Sequence, residues 1–295
     1  MSLRRFHIAA LAALAVSASS AAVAAAGPWA LAPGEYYTEL QGSFFSASTY
    51  YDDNGDRQQL GGQAEQRALN SYTELGWKKH WSFQMELPAV SNTTRDGVED
   101  ATNTGFGDLS LGLRWALRGG PRATSIQLGW RAPSGYNSNI KPALGSGQQR
   151  LSAAVATGFP LGKRGFAQAG AGIARDFLVA GSRSTDPNDS QAQRTWSNHV
   201  TVNGAVGLWF GNLLVAGQYE GEIAGQSGLD TQTTSHLIGS RLAYRVDERI
   251  DAIAGSWHSP GGKNVLHVDQ FYAGVAWKVT KLNRLQGFLG GSKRP

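Results

Sequence analysis

The chain has 295 residues, no cysteine, and a formal charge of +5 from 27 basic and 22 acidic side chains. That length admits one large domain or two small ones, and the missing cysteines exclude a disulfide framework or a thiolate metal site. Much of the basic excess sits in Lys278, Lys281, Arg284, Lys293 and Arg294. It reads as a solvated tail or a contact for anionic headgroups, and is no nucleic-acid patch.

Met1–His7 carries Arg4 and Arg5, Ile8–Val16 is apolar, and small residues run on to Ala24-Ala25-Ala26. A charged n-region, a short apolar core and a small-residue cleavage site predict a signal peptide over residues 1–26, cut before Gly27. The apolar run is well under the ~20 residues of a retained anchor. Phe6 directly follows the arginines where a twin-arginine signal wants a spacer, which favours ordinary secretion. Removal leaves residues 27–295, 269 in all, with charge +3, because two arginines go and no acid goes with them.

From there, segments of about 10–13 residues alternate apolar and polar side chains, giving strands with one greasy and one wet face. Leu40, Gly42 and Phe44 oppose Glu39, Gln41 and Ser43. Leu69, Leu75 and Trp77 oppose Asn70, Tyr72, Glu74 and Lys78; Trp81, Phe83, Met85 and Leu87 oppose Ser82, Gln84 and Glu86. The cleanest case sets Leu109, Leu111, Leu113, Trp115 and Leu117 against Asp108, Ser110, Gly112, Arg114 and Ala116. Ile126, Leu128 and Trp130 then oppose Ser125, Gln127 and Arg131. Later segments begin near Arg150, Gly165, Asn198, Asn212, Thr234, Arg249 and His267, for a total of about twelve. Gly204–Tyr219 is nearly all apolar, but Gly211-Asn212 at its centre marks a hairpin rather than a helix.

Tight turns fall near Lys78–Trp81, Arg118–Arg122, Pro160–Arg164, Phe210–Asn212 and Val246–Arg249. Long polar loops fall near Ala47–Gln66, Ser91–Asn103, Pro133–Gln148, Leu178–Thr195, Ala224–Thr233 and Ser259–Leu266. Strict alternation of long and short connections predicts an even strand number. Trp77, Trp81, Trp115, Trp130, Trp209 and Trp277 near strand ends fit headgroup-level belts better than the aliphatic core of a soluble sandwich. An exported all-β chain with outward aromatics satisfies its backbone in lipid only by closing. The expectation is an all-β, antiparallel up-and-down transmembrane β-barrel of about 12 strands, over residues 27–295, in the outer membrane of a Gram-negative bacterium. Both termini would be periplasmic, the long loops outside the cell, and about 280–295 a short periplasmic tail. No plug domain is read ahead of the first strand.

Three stretches carry a family resemblance. Thr104-Gly105-Phe106-Gly107-Asp108 leads into an alternating strand, Ala132-Pro133-Ser134-Gly135 ends one, and Leu144-Gly145-Ser146-Gly147 follows. In order and spacing, over roughly residues 100–160, they resemble motifs of exported barrels associated with the meta-pathway of phenol degradation, with Ser134 in place of a usual Thr. The resemblance implies an outer-membrane channel for aromatic or other hydrophobic compounds; the particular substrate does not carry over. By their own chemistry, Gly105 and Gly107 permit a bulge or close backbone approach. Asp108 begins the lumen-facing row, and Pro133, Gly135, Gly145 and Gly147 read as fold-defining rather than substrate-binding.

The wet faces collect the acids Glu39, Glu74, Glu86, Asp108, Glu220 and Glu222, and the bases Arg114, Arg131, Arg150, Arg241 and Arg245. These are the lumen-lining candidates. In a channel, opposed rows set a transverse field that selects solutes; alternatively, the charges pair across a narrow barrel and fill it. The near balance of signs favours pairing, with a breakable subset left to line a path.

Asp52-Asp53-Asn54-Gly55-Asp56 hints at calcium, but Arg57 and Gln63 stand where an EF-hand loop needs Gly and an acid. A barrel lipase is the enzymatic rival: His258-Ser259 point to opposite faces, and His236 and Ser240 lie roughly 13 Å apart. His80, His199, His236, His258 and His267 show no close metal-ligand spacing. Neither catalysis nor a cofactor nor a metal is therefore expected. The expected role is passive passage of small, aromatic or hydrophobic, molecules. The alternatives are a structural or receptor barrel without transport and, last, a lipid hydrolase. Its partners would be outer-membrane lipid, small-molecule solutes, the barrel-assembly machinery and periplasmic chaperones, with no nucleic acid.

Overall fold

The structure, a computed structural model, describes residues 27–95, 100–137, 140–178, 197–226 and 232–279. The predicted signal peptide, most of the loop near Leu178–Thr195 and the tail after residue 279 lie outside the described residues.

The period-two segments form strands throughout. They are β1 (Tyr36–Tyr51), β2 (Arg57–Lys78), β3 (Trp81–Arg95), β4 (Asp100–Phe106), β5 (Asp108–Arg118), β6 (Ala123–Pro133) and β7 (Gln148–Leu161). Then come β8 (Gly165–Leu178), β9 (Ser197–Phe210), β10 (Leu213–Gln226), β11 (Gln232–Arg245), β12 (Ile250–Lys263), β13 (Val265–Leu266) and β14 (Asp269–Val279). All pairings are antiparallel. β4 and β5 both pair with β3, so they are one barrel strand broken at Gly107. β13 and β14 both pair with β1, and are one strand broken at His267-Val268. Twelve barrel strands result. β1 bonds to β2 on one edge and β14 on the other, so the sheet closes and no edge is left for lipid to meet.

Register fixes the ends. Tyr36 lies opposite both Leu75 and Val279, so the first and last described strand ends share the side that carries the short turns. At one of these turns Gly211, with φ of 62°, supplies the left-handed backbone that joins β9 to β10 in two residues. This hairpin lies in the apolar stretch a hydropathy scan would take for a helix.

Three of the expected long loops are instead strands that keep pairing. β1 and β2 zip up to Tyr51 and Arg57, β3 and β4 to Arg95 and Asp100, and β12 meets β13 around Asn264 at φ 53°. Thr, Gln and Ser there pair as readily in water as apolar residues do in lipid, so polarity misplaced the strand ends. β2 has 22 residues, about twice the 9–11 that cross a bilayer, so its far half stands clear of it. Asp52 closes the first hairpin by accepting the N–H groups of Asn54 and Asp56, at 3.0 and 2.9 Å. That bonding, Asp56 foremost, holds its carboxyl below the usual range. The acidic run is a turn.

Parity sorts the faces as expected. Outward residues are apolar and bare: Ile173 is 66% and Phe271 64% exposed, with Leu128, Val155, Val206 and Leu242 beside other strands. So continuous an apolar belt belongs against lipid. Trp209 is a correction, because its odd parity in β9 turns it inward against Leu214, Ala243 and Ile253. The inward side chains fill the barrel in place of a single core.

Candidate functional site

All eleven lumen candidates fall on the inward parity of their strands, and most are bound in ion pairs. Nearest the short turns, fully buried Arg114 on β5 donates from Nη1 to both oxygens of Glu74 on β2, at 2.8 and 2.9 Å. Tyr72 and Ser82 also donate to Glu74, at 2.9 and 2.5 Å. Nearby, Arg241 on β11 grips Glu39 on β1 with two parallel bonds of 3.1 and 2.7 Å, and Tyr37 adds a third at 2.6 Å. Such forked pairs fix geometry as well as charge.

A third cluster gathers Arg150 on β7, Asp176 on β8, His199 on β9 and Glu222 on β10. Arg150 donates to Asp176 at 2.6 and 3.1 Å and lies 3.5 Å from Glu222. His199 sets Nε2 2.8 Å from Asp176 and Nδ1 2.5 Å from Glu222. Asp176 is absent from the sequence-derived list although it continues the even-numbered inward row of β8. Ser197 Oγ also lies 2.8 Å from His199 Nε2, in the manner of a serine–histidine pair. Ser197 Oγ donates to Asp176 at 3.0 Å, and both His199 ring nitrogens already face carboxylate oxygens.

Glu86 on β3, Arg131 on β6 and Glu220 on β10 differ from the rest. Arg131 donates to Ser110 at 3.3 Å, and none of the three has an ion-pair partner within 4.0 Å among the described residues. One carboxylate oxygen of Glu86 and one of Glu220 are enclosed without a hydrogen-bond partner. Arg245 shares the inward parity of Arg241 and Ala243 but sits at the short-turn rim. It is half exposed at the end of β11, where its guanidinium stacks 4.5 Å over Trp209 and lies 3.9 Å from Asp251.

The three motif stretches converge. The described residues of 134–147, expected as a long polar loop outside the cell, fold back into the barrel and hang on Asp108. Tyr136 OH, Ser146 N and Ser146 Oγ donate to its carboxylate at 2.5, 2.9 and 2.9 Å. Gly147, at φ 68°, turns its N–H onto Tyr136 OH at 2.8 Å. A Cβ at Gly145 would overlap Asp108 and Tyr136, and one at Gly105 would meet Leu144. Leu144 is buried against Ala68 and Val90, while Asn92 and Asn103 donate to the carbonyls of Ala143 and Pro142 at 2.6 and 3.0 Å. Burial, then the Asp108 charge, pushes the Tyr136 phenol well above its ordinary range, so it remains a donor. Pro133 ends β6 where this loop departs, and Gly135 takes φ 100° just after it.

The short-turn end is stopped too. Gly27 and Pro28 are buried, Trp29 packs edge-on to Phe166 at 6.1 Å, and the Trp29 carbonyl accepts from Arg114 at 3.1 Å. Nothing in the period-two pattern announces this stopper. Between it and the inward loop lies a cavity of about 180 Å³. Its lumen-facing lining includes Gln84, Glu86, Gln127, Arg131, Gln168 and Glu220.

The closed barrel thus holds a cavity of mainly apolar lining and a loop that the three motif stretches pin to Asp108. A family described as "Putative MetA-pathway of phenol degradation" matches residues 19–273. The chain belongs to it. No curated protein sequence matches this family member. Among solved structures, an outer membrane channel from Pseudomonas putida F1 is similar with a TM-score of 0.66 at 11% identity, covering 85% of this chain and 98% of that one. The NanC porin is similar with a TM-score of 0.50 at 14% identity, over 82% of this chain and 100% of its own. The translocator domain of the autotransporter NalP from Neisseria meningitidis reaches 0.52 at 9% identity, over 90% of this chain and 96% of its own. At such identities the likeness is one of fold, that of outer-membrane barrels.

Proposed function

We propose that this family member is a passive outer-membrane channel for small aromatic solutes, with no catalytic activity. The reading rests on one observation: a lumenal cavity bordered by Glu86, Glu220 and Arg131, whose charges are not locked into ion pairs. A cavity of about 150 Å³ admits benzene, so about 180 Å³ gives room for a single ring. A phenolic hydroxyl would donate to Glu86 or Glu220, and Arg131 would lie over the ring face. The family's printed link to phenol degradation supports that substrate class. The locked clusters of Glu39, Glu74, Arg114, Arg150, Glu222 and Arg241 serve as packing that narrows the path.

The short-turn end, with Tyr36 and Val279, would face the periplasm after a signal peptide is cut before Gly27. Periplasmic chaperones and the barrel-assembly machinery would deliver the chain to outer-membrane lipid. The test is flux of a phenolic acid and of an aliphatic acid of equal size into proteoliposomes. Faster entry of the aromatic solute, slowed in Arg131→Gln, supports the reading. Entry no faster than into empty liposomes would leave a structural or receptor barrel.

A further inference from the structure

The histidines look scattered in the sequence, but strand register gathers two of them with a carboxylate. β12 and β14 pair so that His258 lies opposite Asp269, and His258 Nδ1 is 2.5 Å from Asp269 Oδ1. The break between β13 and β14 frees His267 from the strict alternation. Its ring meets that of His258 at 5.4 Å, nearly edge-on at 82°, and its Nδ1 lies 3.9 Å from Asp269 Oδ2. One donor atom from each of the three residues falls within 4.8 Å of the others. We propose that His258, His267 and Asp269 form a binding site for a divalent transition-metal ion at the long-loop rim of the barrel.

The chemistry selects the ion class. Two imidazole nitrogens and one carboxylate oxygen, without thiolate, suit Zn²⁺, Ni²⁺ or Cu²⁺ rather than Ca²⁺ or Mg²⁺, which want oxygen. With bonds of about 2.1 Å, a tetrahedral ion holds its donors about 3.4 Å apart. The observed separations bracket that spacing, so small side-chain rotations suffice. His258 and Asp269 are each about half exposed, which leaves an ion an entry path and room for water as the remaining ligand. His267 is buried beside Tyr51, and its backbone N–H donates to the Thr49 carbonyl at 3.0 Å, so one ligand is held in place beforehand.

One group opposes binding. Arg57 Nη2 lies 3.4 Å from His267 Nδ1 and also bonds through Nε to Thr49 Oγ1 at 3.0 Å. An ion on Nδ1 displaces this guanidinium, which sits at the start of β2 beside solvent. Bound, the ion would tie β12 to the strand break beside β1, clasping the seam where the first and last strands meet.

Tag-free protein folded in detergent is titrated with Co²⁺, followed by its visible absorption, then displaced by Zn²⁺. Saturation at one ion per barrel is expected, with affinity falling at least about tenfold in His258→Ala and in Asp269→Asn. Arg57→Ala should bind more tightly, and His80→Ala should not change. Zn²⁺ should raise the melting temperature of the parent and not of His258→Ala. A heat-modifiability gel checks that each variant is folded. No saturable binding, or binding equal in the parent and both ligand variants, overturns the site.

Discussion

Asp108→Ala is the substitution that separates a pinned loop from a merely inward one. Three donors converge on the Asp108 carboxylate, and bonds to a charged acceptor are each worth about 1.5–3 kcal/mol. Bonds that share one acceptor do not add, and Tyr136 and Ser146 regain water when the loop leaves. The expected loss is therefore about 3–5 kcal/mol of loop docking. That lowers the docked-to-released ratio by roughly two to four powers of ten. Buried Leu144 and the Asn92 and Asn103 bonds still hold the loop, so adding Leu144→Ala should complete the release. The natural chain has no cysteine, so a single spin label at Ile140→Cys reports loop motion without background. The label should be immobile in the parent, mobile in Asp108→Ala, and single-channel conductance should rise with it. A folded Asp108→Ala barrel with an immobile label and parental conductance would refute the anchor.

Arg114→Ala should destabilise the barrel by about 3–5 kcal/mol, because it strands the buried Glu74 charge; the double variant with Glu74→Leu should recover most of that on a thermal gel-shift assay. Gly145→Ala should mimic Asp108→Ala in the spin-label assay, since its Cβ needs the space of Asp108 and Tyr136. Trp29→Ala should widen the short-turn end and raise conductance while leaving the label at residue 140 immobile.

Much of the barrel was legible because lipid outside and water inside impose a period of two on every strand. Leu109–Leu117 against Asp108–Ala116 shows this most plainly, and the same parity located Glu86, Arg131 and Glu220. Strand ends were less legible where β1, β2 and β3 leave the bilayer, since hydropathy no longer distinguishes strand from loop there. Asp176 was recoverable from the parity of β8, and its nearness to a long polar loop hid it. Long-range closures left no local trace: Tyr136 on Asp108, Trp29 under Arg114, and His267 beside His258. The motif glycines were read as backbone devices at separate places. Their common purpose, making room for one loop against Asp108, needed the barrel to be closed.

The proposed solute path runs through the cavity between Arg131 and the carboxylates of Glu86 and Glu220. Its most direct test is the reversal potential of single channels in a planar bilayer under a salt gradient. Discrete conductance steps are expected, with selectivity moving toward cations in Arg131→Gln and toward anions in Glu86→Gln and Glu220→Gln. A folded barrel that stays silent, or steps whose reversal potential ignores all three substitutions, would contradict it.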